Sequence, residues 1–240
     1  MPQNSLTFEV CIDAPSGLEA CEGLVDRIEL CSALGLGGLT PDPGLIALAK
    51  EHGIPCHAMI RPRAGDFHYN TADQHAMLAS VAAVKKAGLA GIVVGASIGN
   101  VLDTELLRAL KSAAGNMEVT LHRVIDLVDA PLVAMEQVIA LGFDRILTSG
   151  GAPKAVDGLT TLAALHSAAT GRIEIMAGSG ISVSNLAKIA NETRITSFHA
   201  SCSTEVPVAD HLHRFGFAKT QKVTDRATVA TFRDVLNSLV

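Results

Sequence analysis

Two acid–thiol pairs at two-residue spacing, Glu9 with Cys11 and Glu29 with Cys31, stand within short aliphatic runs, so each pair shares one face of a strand. A carboxylate can move protons, and a thiolate is a soft ligand that selects Cu(I) over hard cations. Basic residues gather at three further points: Arg61-Pro62-Arg63 with Asp66 and His68 close behind, His122-Arg123 with Asp126, and His199. Three arginines in such positions call for anionic partners, and the acids of the same loops are too few to consume them all. A small phosphorylated or carboxylated molecule is the natural remainder. In this reading Arg61, Arg63, Asp66, Arg123 and His199 bind the ligand. His122 and Glu29 are the candidate general acid and base, and Asp126 fixes the tautomer of His122.

Two glycine-rich turns fit the same ligand. Thr148-Ser149-Gly150-Gly151 offers the N–H groups of Ser149 and Gly150. Ala177-Gly178-Ser179-Gly180-Ile181 offers those of Gly178, Ser179 and Gly180, and is expected to open onto a helix near Ser182 whose N-terminus favours an anion. The competing reading is that these glycines serve only as tight turns. Cys11 and Cys31, if adjacent strands bring them level, stand about 5 Å apart and can hold one Cu(I) ion between them. Buried cysteine also fills cores as a small, soft side chain. Gly95-Ala96-Ser97-Ile98-Gly99 matches G-x-S-x-G, but the next helix is expected only near Asp103, so the serine lacks the strand-to-helix turn that a nucleophile elbow requires.

The elements that must position these groups alternate along the whole chain. Strands are expected at 8–12, 27–31, 55–61, 91–95, 119–123, 145–148, 174–177 and 197–201, with Ala- and Leu-rich helices between them. Helix starts are marked at Asp13-Ala14-Pro15-Ser16, Thr40-Pro41-Asp42, Asn70-Thr71-Ala72-Asp73, Asp129-Ala130-Pro131 and Ser182-Val183-Ser184-Asn185. Helix ends are marked at Gly53, Gly88, Gly115 and Gly142. Eight evenly spaced βα units without a linker in 240 residues predict one α/β domain over 1–240, a TIM-type (β/α)₈ barrel with its site at the C-terminal ends of the strands.

Composition narrows the function. Hydrophobic residues make up 48% and charged residues 18%, enough to bury a large core. The net charge of -5, with seven Phe, one Tyr and no Trp, excludes nucleic acid as the expected partner. No run reaches a membrane span, and the N-terminal Met1-Pro2-Gln3-Asn4-Ser5 carries no secretory pattern. Five cysteines without a C-x-x-C pair point to reduced thiols in the cytoplasm. The apolar helices leave room for a homo-oligomer face.

Several segments in order carry a resemblance. Phe8-Glu9-Val10-Cys11, Asp26-Arg27-Ile28-Glu29-Leu30-Cys31, Gly37-Gly38-Leu39-Thr40-Pro41, Ile60-Arg61-Pro62-Arg63-Ala64-Gly65-Asp66-Phe67, Thr120-Leu121-His122-Arg123 with Asp126, Arg145-Ile146-Leu147-Thr148-Ser149-Gly150 and Ile175-Met176-Ala177-Gly178-Ser179-Gly180 are similar to those of the copper homeostasis protein CutC family. The resemblance spans most of the chain up to Ser201. It implies a cytosolic TIM-type barrel with a role in copper handling, in which Cys11 and Cys31 are the proposed Cu(I) ligands. The family's strong motifs lie instead in Glu29, Arg61, Arg63, Asp66, His122, Arg123 and Asp126, which are poor Cu(I) ligands and good substrate-binding and acid–base groups. The stretch from Cys202 to Val223, expected as an extended and locally basic connection, lies outside the resembling motifs.

Overall fold

Each of the eight aliphatic runs forms a parallel strand. In the computed structural model, which describes residues 6–239, these are β1 (Thr7–Ile12), β2 (Arg27–Leu30), β3 (Cys56–Met59), β4 (Gly91–Val94), β5 (Glu118–Leu121), β6 (Arg145–Thr148), β7 (Glu174–Ala177) and β8 (Ser197–Ala200). Every strand pairs with the next, and β8 closes on β1, giving the expected (β/α)₈ barrel. The N-terminal pentapeptide expected to carry no secretory pattern lies outside the described residues.

Helices α1 (Pro15–Cys21), α2 (Pro43–His52), α3 (Thr71–Ala87), α4 (Thr104–Ala114), α5 (Pro131–Ala140), α6 (Leu159–Ala169), α7 (Leu186–Thr193) and α8 (Arg226–Asn237) surround the barrel. Their ends form where the side chains allow it. The Asp42 carboxylate accepts from the N–H groups of Gly44 and Leu45 at 2.8 and 3.1 Å, and Asn70 accepts from Asp73 at 2.9 Å. Pro15 and Pro131 start α1 and α5. Asp103 caps α4, so Ser97 sits in a short hairpin of Ser97–Ile98 and Val101–Leu102 and not on an elbow. Among the described residues no helix is long and apolar enough to cross a membrane.

The two faces of the barrel strands differ in chemistry. Outward positions such as Phe8, Ile28, Ile92 and Ile146 join one apolar core with the helices. Phe8 stacks on Phe232 of α8 with ring centroids 4.3 Å apart. The lower inward positions carry charged groups. Arg27 pairs with Glu9 and lies 3.7 Å from Glu174. Arg145 contacts Glu174 at 2.8 Å and Glu118 at 3.2 Å, and His57 meets Glu118 at 3.4 Å. These partners come from strands on several sides of the barrel, so the network cross-braces its lower interior. The stretch expected to run extended beyond Cys202 instead folds back: Ser203–Pro207 pairs antiparallel with Thr220–Thr224.

Arg145 is buried, but its partners Glu174 and Glu118 are about a third and half exposed and each keeps a second partner, so its removal costs less than breaking a fully buried pair. Arg145→Met is expected to destabilise the protein by about 1–3 kcal/mol, measured as a fall in the urea unfolding midpoint. A change within error would mean that the network is dispensable.

Candidate functional site

The upper interior opens into a cavity of about 380 Å³ at the C-terminal ends of the strands, lined by Cys11, Glu29, Arg61, His122, Arg123, Ser179, Gly180 and His199 among the sequence candidates. Met59 and Leu147, inside β3 and β6, and Phe67 and Ser201, in the loops, also line it and are not among the sequence candidates. Arg63, Asp66, Asp126, Ser149, Gly150, Gly178 and Cys31 are not among its lining residues.

Arg61 follows β3, where its N–H donates to Thr40 Oγ1 at 2.9 Å and its carbonyl accepts from the Thr40 N–H at 3.0 Å. Its guanidinium donates to the carbonyls of Leu36, Gly38 and Gly65 at 2.9, 3.1 and 2.9 Å and lies 5.0 Å from the centre of the Phe67 ring. Arg61 is only 5% exposed, its Nε has no partner, and among the described residues no carboxylate pairs with it. The expected surplus of three arginines is therefore one. Arg63 pairs with Asp66 and Asp73, both at 2.9 Å, and Arg123 with Asp126 at 2.9 Å. Arg63 and Asp66 neutralise each other outside the cavity, which corrects their assignment as ligand-binding residues.

His122 directly follows β5, with its ring against Phe67, centroids 4.7 Å apart. A side chain at Gly95 would place its Cβ 2.2 Å from His122 Cε1, so only glycine admits the ring there. The Nδ1 atom accepts from the Val124 N–H at 3.1 Å, which puts the hydrogen of the neutral ring on Nε2. Nε2 is buried and has no partner among the described residues. Burial and the nearby Arg61 cation push the His122 pKa down to about 3, so the ring is a neutral donor at physiological pH.

Asp126 does not fix this tautomer, contrary to expectation. Its carboxylate accepts from Thr148 Oγ1 at 2.5 Å, Ser149 Oγ at 2.8 Å and the N–H groups of Ser149 and Gly151 at 3.0 Å. The Gly150 N–H donates to Thr148 Oγ1 at 2.9 Å. The chain's own carboxylate thus fills the turn after β6, and the expected role of Ser149 and Gly150 in holding a ligand is corrected. After β7, the Gly178 N–H is used by the Thr148 carbonyl at 3.0 Å, whereas those of Ser179 and Gly180 find no acceptor among the described residues. Helix α7 begins at Leu186 and not near Ser182. Asn185 accepts from the Ser182 N–H and donates to the Gly180 carbonyl, which inserts a turn before the helix.

On the opposite wall, strand register pairs Cys11 with Glu29 and Glu9 with His199. Cys31 therefore stands two residues beyond Cys11's level and packs with Met59 and Val93. The level pair of cysteines on which the two-sulfur copper site depended does not form. Instead Cys11 Sγ, a Glu29 carboxylate oxygen and a His199 ring nitrogen lie within 4.8 Å of one another. His199 Nδ1 is 2.7 Å from Glu9 Oε1, and Nε2 is 3.8 Å from Glu29 Oε2. Burial opposes charge on Glu9, yet the His199 hydrogen bond and the Arg27 guanidinium hold its carboxyl well below the usual range. Burial pushes Glu29 up, partly offset by His199. Burial also opposes charge on His199, but Cys11, Glu29 and Glu9 raise it well above its usual value.

Comparison with known proteins locates this architecture. The CutC family model matches residues 6–204. A CutC family protein of Rhizobium meliloti is 47% identical over 237 residues, covering 97% of both chains. A Caulobacter vibrioides CutC family protein is 44% identical over the full length of both. The solved structure of a Streptococcus agalactiae CutC, named for copper homeostasis, superposes with a TM-score of 0.78 at 30% identity, over 82% of this chain and 98% of that one.

The His122 geometry has a measurable pH signature. Nitrogen NMR of the imidazole is expected to show hydrogen on Nε2 alone from pH 8 to 5. A folded pKa of about 3 lies below the unfolded value of about 6.5. The unfolded state therefore binds the extra proton first, and this residue's contribution to stability falls as pH drops from 6.5 toward 3. His122→Gln is expected to flatten the stability–pH slope in that window; a His122 that titrates near 6.5 would contradict the assignment.

Proposed function

The chain belongs to the CutC family, and from that premise we propose that the barrel mouth binds a small carboxylated or phosphorylated molecule and exchanges a proton with it. One observation carries this reading. Three buried polar atoms without partners, Glu29 Oε1, Arg61 Nε and His122 Nε2, belong to residues that line the same cavity. Leaving such groups unsatisfied costs about 1–3 kcal/mol each, and a ligand whose polar atoms reach them from the cavity removes that penalty. Arg61 supplies the charge, and the neutral His122 donates from Nε2 to a ligand oxygen. Glu29, with a raised proton affinity, gives or takes the proton. The N–H groups of Ser179 and Gly180, which line the same cavity, add donors to its rim.

Copper handling is a second reading, favoured by the grouping of Cys11, Glu29 and His199. The sulfur and the ring nitrogen suit Cu(I) as cargo, whereas the carboxylate is a hard donor that suits it poorly. Cys31 lies outside this group. An anaerobic Cu(I) titration against a competing chelator separates the two ligand sets. If copper is the cargo, Cys11→Ser abolishes one-to-one binding and Cys31→Ser leaves it in place. Binding unchanged by Cys11→Ser removes this reading.

The anion reading is tested by calorimetry with a panel of small keto acids and phosphate esters. Arg61→Gln, shown to be folded by circular dichroism, is expected to weaken the best ligand roughly 10- to 100-fold, the loss of a charge-assisted hydrogen bond. Arg63→Gln is expected to leave the affinity unchanged. Equal affinities for wild type and Arg61→Gln would overturn the proposal.

A further inference from the structure

Of the five cysteines, all free thiols, Cys11 alone lines the cavity. The other four are held in packed surroundings. Burial pushes the thiols of Cys21, Cys56 and Cys202 up to about 12, and it raises Cys31 as well, helped by the Glu29 carboxylate. Cys11 has a different setting. Among the described residues it makes one hydrogen-bond contact, a long one at 3.9 Å to the Ala200 carbonyl, and its sulfur lies near the His199 ring within the 4.8 Å group described above. The far side of that ring is fixed: Nδ1 is bonded to Glu9 Oε1 at 2.7 Å, and Glu9 is itself held by Arg27. Nε2 is thereby left toward the cavity, 3.8 Å from Glu29.

A sulfur nucleophile, a ring nitrogen able to take its proton, and a buried carboxylate that orients the ring make a catalytic arrangement recognised by geometry and not by sequence order. The three come from adjacent strands, β1 supplying Cys11 and Glu9 and β8 supplying His199. Buried Glu9 is shared between His199 and Arg27, so its orientation does not depend on a flexible loop.

We propose that Cys11, set against His199 and Glu9, is a nucleophile that captures an electrophilic carbonyl carbon in the barrel mouth. In the capture step His199, whose proton affinity its anionic neighbours raise, already holds on Nε2 the proton drawn from Cys11, and Sγ bonds to the carbonyl carbon. The C=O π pair moves onto oxygen, and that oxygen receives the proton from Nε2. The product is a neutral hemithioacetal or hemithioketal; no oxidant is needed, and the step reverses by the same route. The expectation that this carbonyl compound is also anionic rests on the reading of Arg61 above, whereas the nucleophile itself does not.

The test uses the full-length, reduced protein with limiting iodoacetamide at fixed pH, and maps the modified thiols by mass spectrometry. Cys11 is expected to be alkylated first and about tenfold faster than glutathione, as activated thiols are. His199→Gln should bring that rate down toward glutathione's. Glyoxylate, the smallest anionic aldehyde, should protect Cys11 in the wild-type protein, which decides the question even if the His199 variant does not fold. Alkylation of Cys11 no faster than glutathione, or no protection by glyoxylate, overturns the proposal. Iodoacetate run in parallel distinguishes the two readings. A preference for it over iodoacetamide that vanishes in Arg61→Gln supports the anion site, and equal rates with fast Cys11 alkylation remove the anion site while the nucleophile stands.

Discussion

The Glu9 carboxylate joins the two halves of this molecule. Below it, Arg27 begins the chain of ion pairs that runs through Glu174 and Arg145 to Glu118 and His57. Above it, one oxygen orients His199, the residue that brings Cys11 and Glu29 into one group. A carboxylate this deeply buried stays ionised only because cations meet it on both sides. The position of the site therefore depends on an interior that is already electrostatically occupied. The lower barrel has no unfilled charge to offer a ligand, and the chemistry is displaced to the mouth.

The mouth shows the opposite balance. Two of its three loop arginines are neutralised by aspartates of the chain, and the turn after β6 is filled by Asp126. Arg61 alone is turned inward among backbone carbonyls and the Phe67 face, with no carboxylate beside it. Carbonyl oxygens orient a guanidinium without cancelling its charge, so its positive field persists in the cavity. The same field, together with burial, keeps His122 neutral and leaves it a hydrogen-bond donor.

Much of the scaffold is legible in the residues. The strands appear where β-branched and aliphatic runs stand, because a strand buried on both faces has few other ways to be written. β6 and β7 match their expected limits, whereas β3 stops at Met59, before the turn that carries Arg61 inward. Asp42, Asn70 and Pro131 announce helix starts by a local rule that needs no tertiary partner. Helix α7 starts later than its capping residues suggest, because Asn185 uses its side chain to build a turn between Ser182 and the helix, a contact that propensity does not report.

What the sequence determined by itself was therefore the barrel, the end of it that carries polar groups, and the pairs sharing a strand face, since all of these follow from periods of two and 3.6 residues along one chain. What only the tertiary structure decided was which of those groups remain available. Register between β1 and β2 set Cys11 against Glu29 and moved Cys31 out of its level, and loop closure gave Arg63 and Arg123 their carboxylates while leaving Arg61 without one. The reason is physical: a charge or thiol is functional only by virtue of the partners within a few ångströms, and in a closed barrel those partners come from strands far apart in sequence.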